Sequence, residues 1–323
     1  MHIFPWVRKC LCECIIVRHR GSISGKSNLQ KERLSYNIFM HEISNWQLDI
    51  RVANTGAELQ SLRFSGKEYI YQKEEGFWQR QSPVLFPIVG KLKGNQYNYE
   101  GKRYEMSQHG FLRDMSWEVL PNLPDNELGY SFVSDEMSQE HYPWEFEVTI
   151  KYIIENTTLR VEYSVANHDK KPMPFSLWGH PAFQIEGDIA AYSVEFENDD
   201  ALESDTLDGW LISSKKKKIQ LDSHTLTLSE ELFSQDALIF RNLQSRRFHL
   251  LKNGKRVFTF HSGNFPHFAL WKQPDAPFLC FEPWQGYADG IDASGEILEK
   301  PGMVHAKPLE KNTYFWEVLF PQK

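Results

Sequence analysis

From about Ile43 onward, apolar and polar residues alternate with a period of two, and no stretch of about 12 or more residues carries a clear 3.6-residue period. That alternation restricts the chain to sheets with one buried face. Residues 46–52 alternate, and residues 57–64 do so again after the Asn54, Thr55, Gly56 turn. Residues 97–99 and 102–106 flank Gly101 as a hairpin, and 146–152 and 159–165 are two strong strands joined by 155–158. Residues 314–320 close the chain as another strand. Many short strands at hairpin spacing predict an all-β fold, a sandwich of two large, mostly antiparallel sheets. No repeat of about 20–50 residues stands out, which argues against a propeller or solenoid. Lys215, Lys216, Lys217 and Lys218 read as a solvated loop or edge between strands.

Residues 1–39 differ from the rest. They hold seven basic and two acidic residues, 7 − 2 = +5, whereas the whole chain holds 36 basic and 43 acidic residues and a net charge of −7. Charges at Arg8, Lys9, Glu13 and Arg18 interrupt any signal-peptide apolar run. Cys10, Cys12 and Cys14 lack a second ligand pair nearby, with only His19 close, so zinc is not expected there. We read 1–39 as a disordered or non-native extension, Met40 as a plausible natural start and 40–323 as one domain. Cys280 is the one further cysteine, so no disulfide framework holds the body and a reducing, cytoplasmic setting is expected. In that setting the Asn156 sequon would go unused. No run approaches the ~18 apolar residues of a membrane span, and the acidic balance argues against nucleic-acid binding. Aromatics make up 14% of the chain, with ten Trp, which suits either a large β core or a surface for pyranose rings.

The sequence contains no GxGxxG, P-loop, HExxH or GxSxG pattern. Three turn-rich segments instead set polar residues among aromatics. The first runs Ser107-Gln108-His109-Gly110-Phe111-Leu112-Arg113-Asp114. The second places His180 between Gly179 and Pro181, flanked by Trp178 and Phe183. The third ends an apolar strand with Glu282, followed by Pro283, Trp284 and Gly286. An apolar strand end desolvates a carboxylate and raises its pKa from ~4.3 towards neutral, as a general base requires.

These segments, with Phe86-Pro87-Ile88-Val89-Gly90, resemble the aldose 1-epimerase (galactose mutarotase-like) family, and most closely its bacterial branch with FPxVG, QHGFxR, GHPAF and EPWxG motifs. The resemblance runs in order from about Ile43 to Phe320. It implies a galactose mutarotase-like β-supersandwich that anomerises a hexose without cofactor or metal. It also implies Glu282 as base, His180 as acid, and His109 as the assistant at the ring oxygen and neighbouring hydroxyl. Asp236 matches the acidic residue that holds sugar hydroxyls, and Trp284 belongs to the EPWxG motif as a further substrate contact. The substrate cation is Arg80 or Arg113. The galactose-type arginine stretch is missing, and Lys91 stands at its end. Two further readings stay open: a hexose-6-phosphate 1-epimerase, with Arg80, Arg113 and Lys91 on the phosphate, and a non-catalytic sugar-binding module. A glycosidase would want two paired carboxylates in place of one Glu and two His. The expected partner is a small-molecule hexose or hexose phosphate, on a monomer or weak homodimer.

Overall fold

The computed structural model describes residues 8–10 and 40–322. The expectation that 1–39 is an extension otherwise lies outside the described residues; Arg8–Cys10 pairs antiparallel with Met40–Ser44. That pair begins a five-stranded sheet continued by Leu48–Ala53, Leu59–Phe64 and Lys67–Glu68.

Two larger antiparallel sheets make the body. The nine-stranded one is centred on Lys255–His261, Lys311–Leu319, Thr158–Asn167 and Phe146–Glu155, and the eight-stranded one on Leu238–Phe240, His267–Trp271, Phe278–Gln285 and Leu177–Gly179. In Phe146–Glu155 the buried positions are Phe146, Val148, Ile150, Tyr152 and Ile154, while the residues between them are partly solvated. One face of this sheet therefore meets the core and the other meets water, which is why its alternation is so clean in the sequence.

The inner strands of the eight-stranded sheet are covered on both faces. Along Phe278–Gln285, Leu279 and Phe281 join the main core, while Phe278, Cys280, Glu282 and Trp284 point the other way. The neighbouring strands keep the same register. Phe268 and Leu270 face the core and Ala269 faces away; Leu238 and Phe240 face it and Ile239 faces away. Aromatic contacts lock the two sheets together: Phe248 and Phe268 stack with centroids 3.8 Å apart, and Phe260 lies 5.5 Å from Phe281.

One expectation from sequence is met and one needs adjusting. The four lysines fall inside the strand Leu211–Gln220, which forms an edge of the eight-stranded sheet. Lysines along an edge discourage pairing with another chain. The strand expected at 57–64 begins at Leu59, because Ala57 takes φ +45° and the ladder shifts register at Arg51/Val52.

Candidate active site

The outward face of the eight-stranded sheet forms the floor of a cavity of about 470 Å³. Period-two geometry places Glu282 and Trp284 on the same side of one strand, and antiparallel pairing sets Ala269 opposite Glu282 and Trp178 opposite Trp284. Ala269 is small enough to leave the carboxyl open to the cavity. His180 follows the strand Leu177–Gly179, and its Nε2 lies 3.4 Å from Glu282 Oε1. The Trp284 indole N–H donates to Glu282 Oε2 at 3.2 Å.

His180 sits in an aromatic box. Trp178 stacks on it with centroids 4.8 Å apart and planes 7° apart, Trp78 stacks at 4.8 Å, and Trp271 meets it edge-on at 5.6 Å. Glu282 is fully buried and His180 is 7% exposed. Burial therefore pushes the Glu282 carboxyl well above the usual carboxylate range, and the nearby Asp236 charge adds to the rise. Burial also drives His180 down to about 3, with the Arg113 charge acting in the same direction. Both directions favour a neutral pair, a carboxylic acid beside an imidazole.

His109 is fixed by the clasp between two of the motif segments. The Gly90 N–H donates to its Nδ1 at 3.2 Å, and its own N–H donates to the Gly90 carbonyl at 2.8 Å. A backbone N–H can only donate, so Nδ1 holds the lone pair and the neutral ring carries its proton on Nε2. Burial, followed by the charges of His180, Arg113 and Arg80, keeps this imidazole neutral. Gly110 makes the clasp possible: at φ +70°, a Cβ there would lie 2.1 Å from the Phe86 carbonyl oxygen.

Asp236 also lines the cavity, at φ +87°, and its Oδ1 accepts the Ala237 N–H at 2.8 Å. Burial raises its pKa, and the bonds from Ala237 and Trp271 partly offset that. Arg113 reaches the cavity, donates to the Gln108 carbonyl at 3.0 Å and lies 3.6 Å from Asp114. The structure places Arg80 outside the lining, its guanidinium 2.6 Å from Asp114. Lys91 is likewise outside the lining, over the ring of Trp210. Glu282, His180, His109, Arg113, Asp236 and Trp284 are thus brought together, and Arg80 is not.

The sequence reading did not single out Trp78, Trp271 or Lys272. Trp271 has no local signal, because only long-range pairing with Cys280 brings it to the site. Lys272 is 2% exposed, and its ammonium is held by Glu230 at 2.8 Å and by the carbonyls of Gln273 and Ala276. Trp178, which the sequence places beside His180, lines the cavity and shares its face.

A β-sandwich with a carboxyl–imidazole pair at the floor of a Trp-walled cavity is built for a small molecule and equipped for proton transfer. The comparisons with known proteins give that class a family. The aldose 1-epimerase sequence model matches residues 40–303, and the chain belongs to that family. It is 27% identical over 294 residues to Protein LacX (plasmid) of Lactococcus lactis subsp. lactis, covering 86% of this chain and 98% of that one. A solved structure of a galactose mutarotase related enzyme from Lactobacillus acidophilus superposes with a TM-score of 0.83 at 28% identity, covering 88% of this chain and 98% of the other. The human galactose mutarotase is 24% identical over 200 residues, 56% of each chain.

Proposed function

We propose that the protein is an aldose 1-epimerase that interconverts the α and β anomers of a neutral hexose by opening and closing its ring. One observation carries the reading. Seven buried side-chain polar atoms lack a hydrogen-bond partner among the described residues, and four of them belong to cavity residues: Glu282 Oε1, His180 Nδ1, Trp178 Nε1 and Arg113 Nε. Buried polar groups are normally satisfied, so this concentration of donors and acceptors calls for a polyhydroxylated ligand. The tryptophan walls offer apolar ring faces to the same ligand.

The chemistry needs one proton shared by two groups. Carboxylate plus imidazolium and carboxylic acid plus imidazole hold the same single proton, and 3.4 Å separates their facing atoms. With the proton on His180, Glu282 takes the proton of the anomeric O1–H while His180 protonates the ring oxygen as the C1–O5 bond breaks. Rotation about C1–C2 presents the other face of the aldehyde. Ring closure then runs the transfers backwards, so the acid of opening is the base of closure. The Nε2–H of His109 is a fixed donor for the ring oxygen or an adjacent hydroxyl.

The balance of charge favours a neutral hexose over a hexose 6-phosphate. Arg80 and Arg113 share Asp114, and Lys272 is held by Glu230 and two carbonyls. Arg80 and Lys272 thus already have oxygen partners within hydrogen-bond distance, while Arg113 Nε has none. The test is Glu282→Gln, which keeps the shape and removes the titrating group. Polarimetry should show anomer exchange slowed ~10²–10⁴-fold with sugar binding largely kept. A folded variant that exchanges anomers near the wild-type rate would refute the assignment.

A further inference from the structure

The proton transfers make no use of Cys280, although it sits among the groups that carry them. Cys280 and Glu282 project from the same side of the strand Phe278–Gln285. Ala182, two residues after His180, pairs directly with Cys280, which brings the imidazole to the same stretch of sheet. A nitrogen of His180, the sulfur of Cys280 and a carboxylate oxygen of Glu282 all lie within 4.8 Å of one another. Cys280 and Glu282 are fully buried, and His180 nearly so. Two of the three have unspent bonding capacity: His180 Nδ1 and Glu282 Oε1 are buried without a hydrogen-bond partner. Among the described residues, no other group of three His, Cys, Asp or Glu side chains converges in this way. Nitrogen, sulfur and oxygen meeting in one dry place are the donor set of zinc, which takes His, Cys and carboxylate ligands in a tetrahedron.

We propose that His180, Cys280 and Glu282 form an inhibitory zinc site at the floor of the catalytic cavity. The inference rests on the reading of Glu282 and His180 as the proton-transfer pair. Three atoms no more than 4.8 Å apart lie within about 2.8 Å of a common point, and zinc bonds run about 2.0–2.3 Å, so a shift of less than an ångström in each side chain closes the site. His180 Nε2 and Glu282 Oε1, 3.4 Å apart, already have close to the spacing, about 3.3 Å, of two such ligands in a tetrahedron. His180 enters as the neutral imidazole. The Cys280 thiol and the Glu282 carboxyl each release a proton to solvent, so a doubly charged cation meets one thiolate and one carboxylate. The complex is neutral overall, which is the charge an aromatic box tolerates. Glu282 and His180 border the cavity, which gives the ion its entry path and leaves its fourth position to water. The bound ion takes up the carboxylate oxygen and the imidazole lone pair that ring opening and closure require, so anomer exchange stops.

The test is NMR anomer exchange of glucose and galactose during titration with zinc chloride, on the full chain as wild type, Cys280→Ser and Cys280→Ala. Each rate is taken relative to the same protein in EDTA, so the amount of folded protein cancels. Zinc should stop exchange in the wild type and EDTA should restore it. Both variants should need at least ~10-fold more zinc for half inhibition. Cys10, Cys12 and Cys14 are present in all three proteins, so only a difference made at Cys280 counts. Cobalt(II) gives a readout apart from activity: the wild type should show a stronger thiolate-to-cobalt absorption band than Cys280→Ala. Exchange indifferent to zinc, equal half inhibition in the three proteins, or identical cobalt spectra would overturn the inference. A cobalt band that depends on Cys280, in a protein that exchanges no sugar, counts against the epimerase reading and leaves the metal site standing.

Discussion

Trp284→Phe probes the proton balance of the pair without removing either titrating group. The Trp284 indole donates a hydrogen bond to Glu282 Oε2 at 3.2 Å, while Oε1 faces His180 Nε2 at 3.4 Å. Hydrogen bonds to charged groups are worth ~1.5–3 kcal/mol, and this one is long for its type, so we take about 1.5. At ~1.36 kcal/mol per pH unit, its loss should raise the Glu282 pKa further, by about one unit. The sign follows from the working state, which holds one proton on the pair. Protonating the imidazole as well ends activity on the acid side, and His180 is pushed down to about 3, so that limb lies low. Ionising Glu282 removes the last proton and ends activity on the alkaline side, above the usual carboxylate range. Phenylalanine cannot stabilise the carboxylate, so the alkaline limb of kcat/KM should move up by about one unit while the acid limb stays. NMR anomer exchange with the uncatalysed rate subtracted reads both limbs. Because a limb position does not depend on the amount of folded enzyme, lost packing on Trp178 does not mimic the effect. An alkaline limb that stays put or moves down would refute the reasoning.

Asp114→Asn should raise kcat/KM for glucose 6-phosphate relative to glucose by roughly tenfold at low ionic strength, because it leaves Arg80 and Arg113 without their shared carboxylate. Added salt should erode that gain in an anomer-exchange assay, and an unchanged ratio would show that Asp114 does not set charge preference. Gly110→Ala should lower the melting temperature far more than Gly187→Ala: both residues have positive φ, but an added Cβ meets Phe86 only at Gly110, and nothing lies within 4 Å at Gly187. The excess should amount to at least ~1–3 kcal/mol and should come with impaired activity as His109 is displaced; equal losses by calorimetry would show that the clasp is not tight.

What could be read from the sequence follows from which faces are buried. Phe146–Glu155 and Thr158–Asn167 are solvated on one side, so their alternation announces strands directly. The site sheet is covered on both sides at Val84–Leu85, Leu177–Gly179 and Leu238–Phe240, strands that are wholly buried and only two or three residues long. They carry no period to read. The same double burial is what made Glu282 visible, since a carboxylate in an otherwise apolar run stands out. Spacing of two residues likewise joins Trp178 to His180 and Glu282 to Trp284 on one face. Partners from distant segments leave no such mark. Trp271 reaches the site through its pairing with Cys280, and Arg80 meets Asp114 across 34 positions of chain. That second contact bears on substrate choice. Two arginines near a sugar motif leave a phosphate site open as an alternative in the sequence, whereas in three dimensions Asp114 lies 2.6 Å from Arg80 and 3.6 Å from Arg113. The buried carboxyl of Glu282 was legible because burial acts along a strand; the charge balance was not, because it is set between strands.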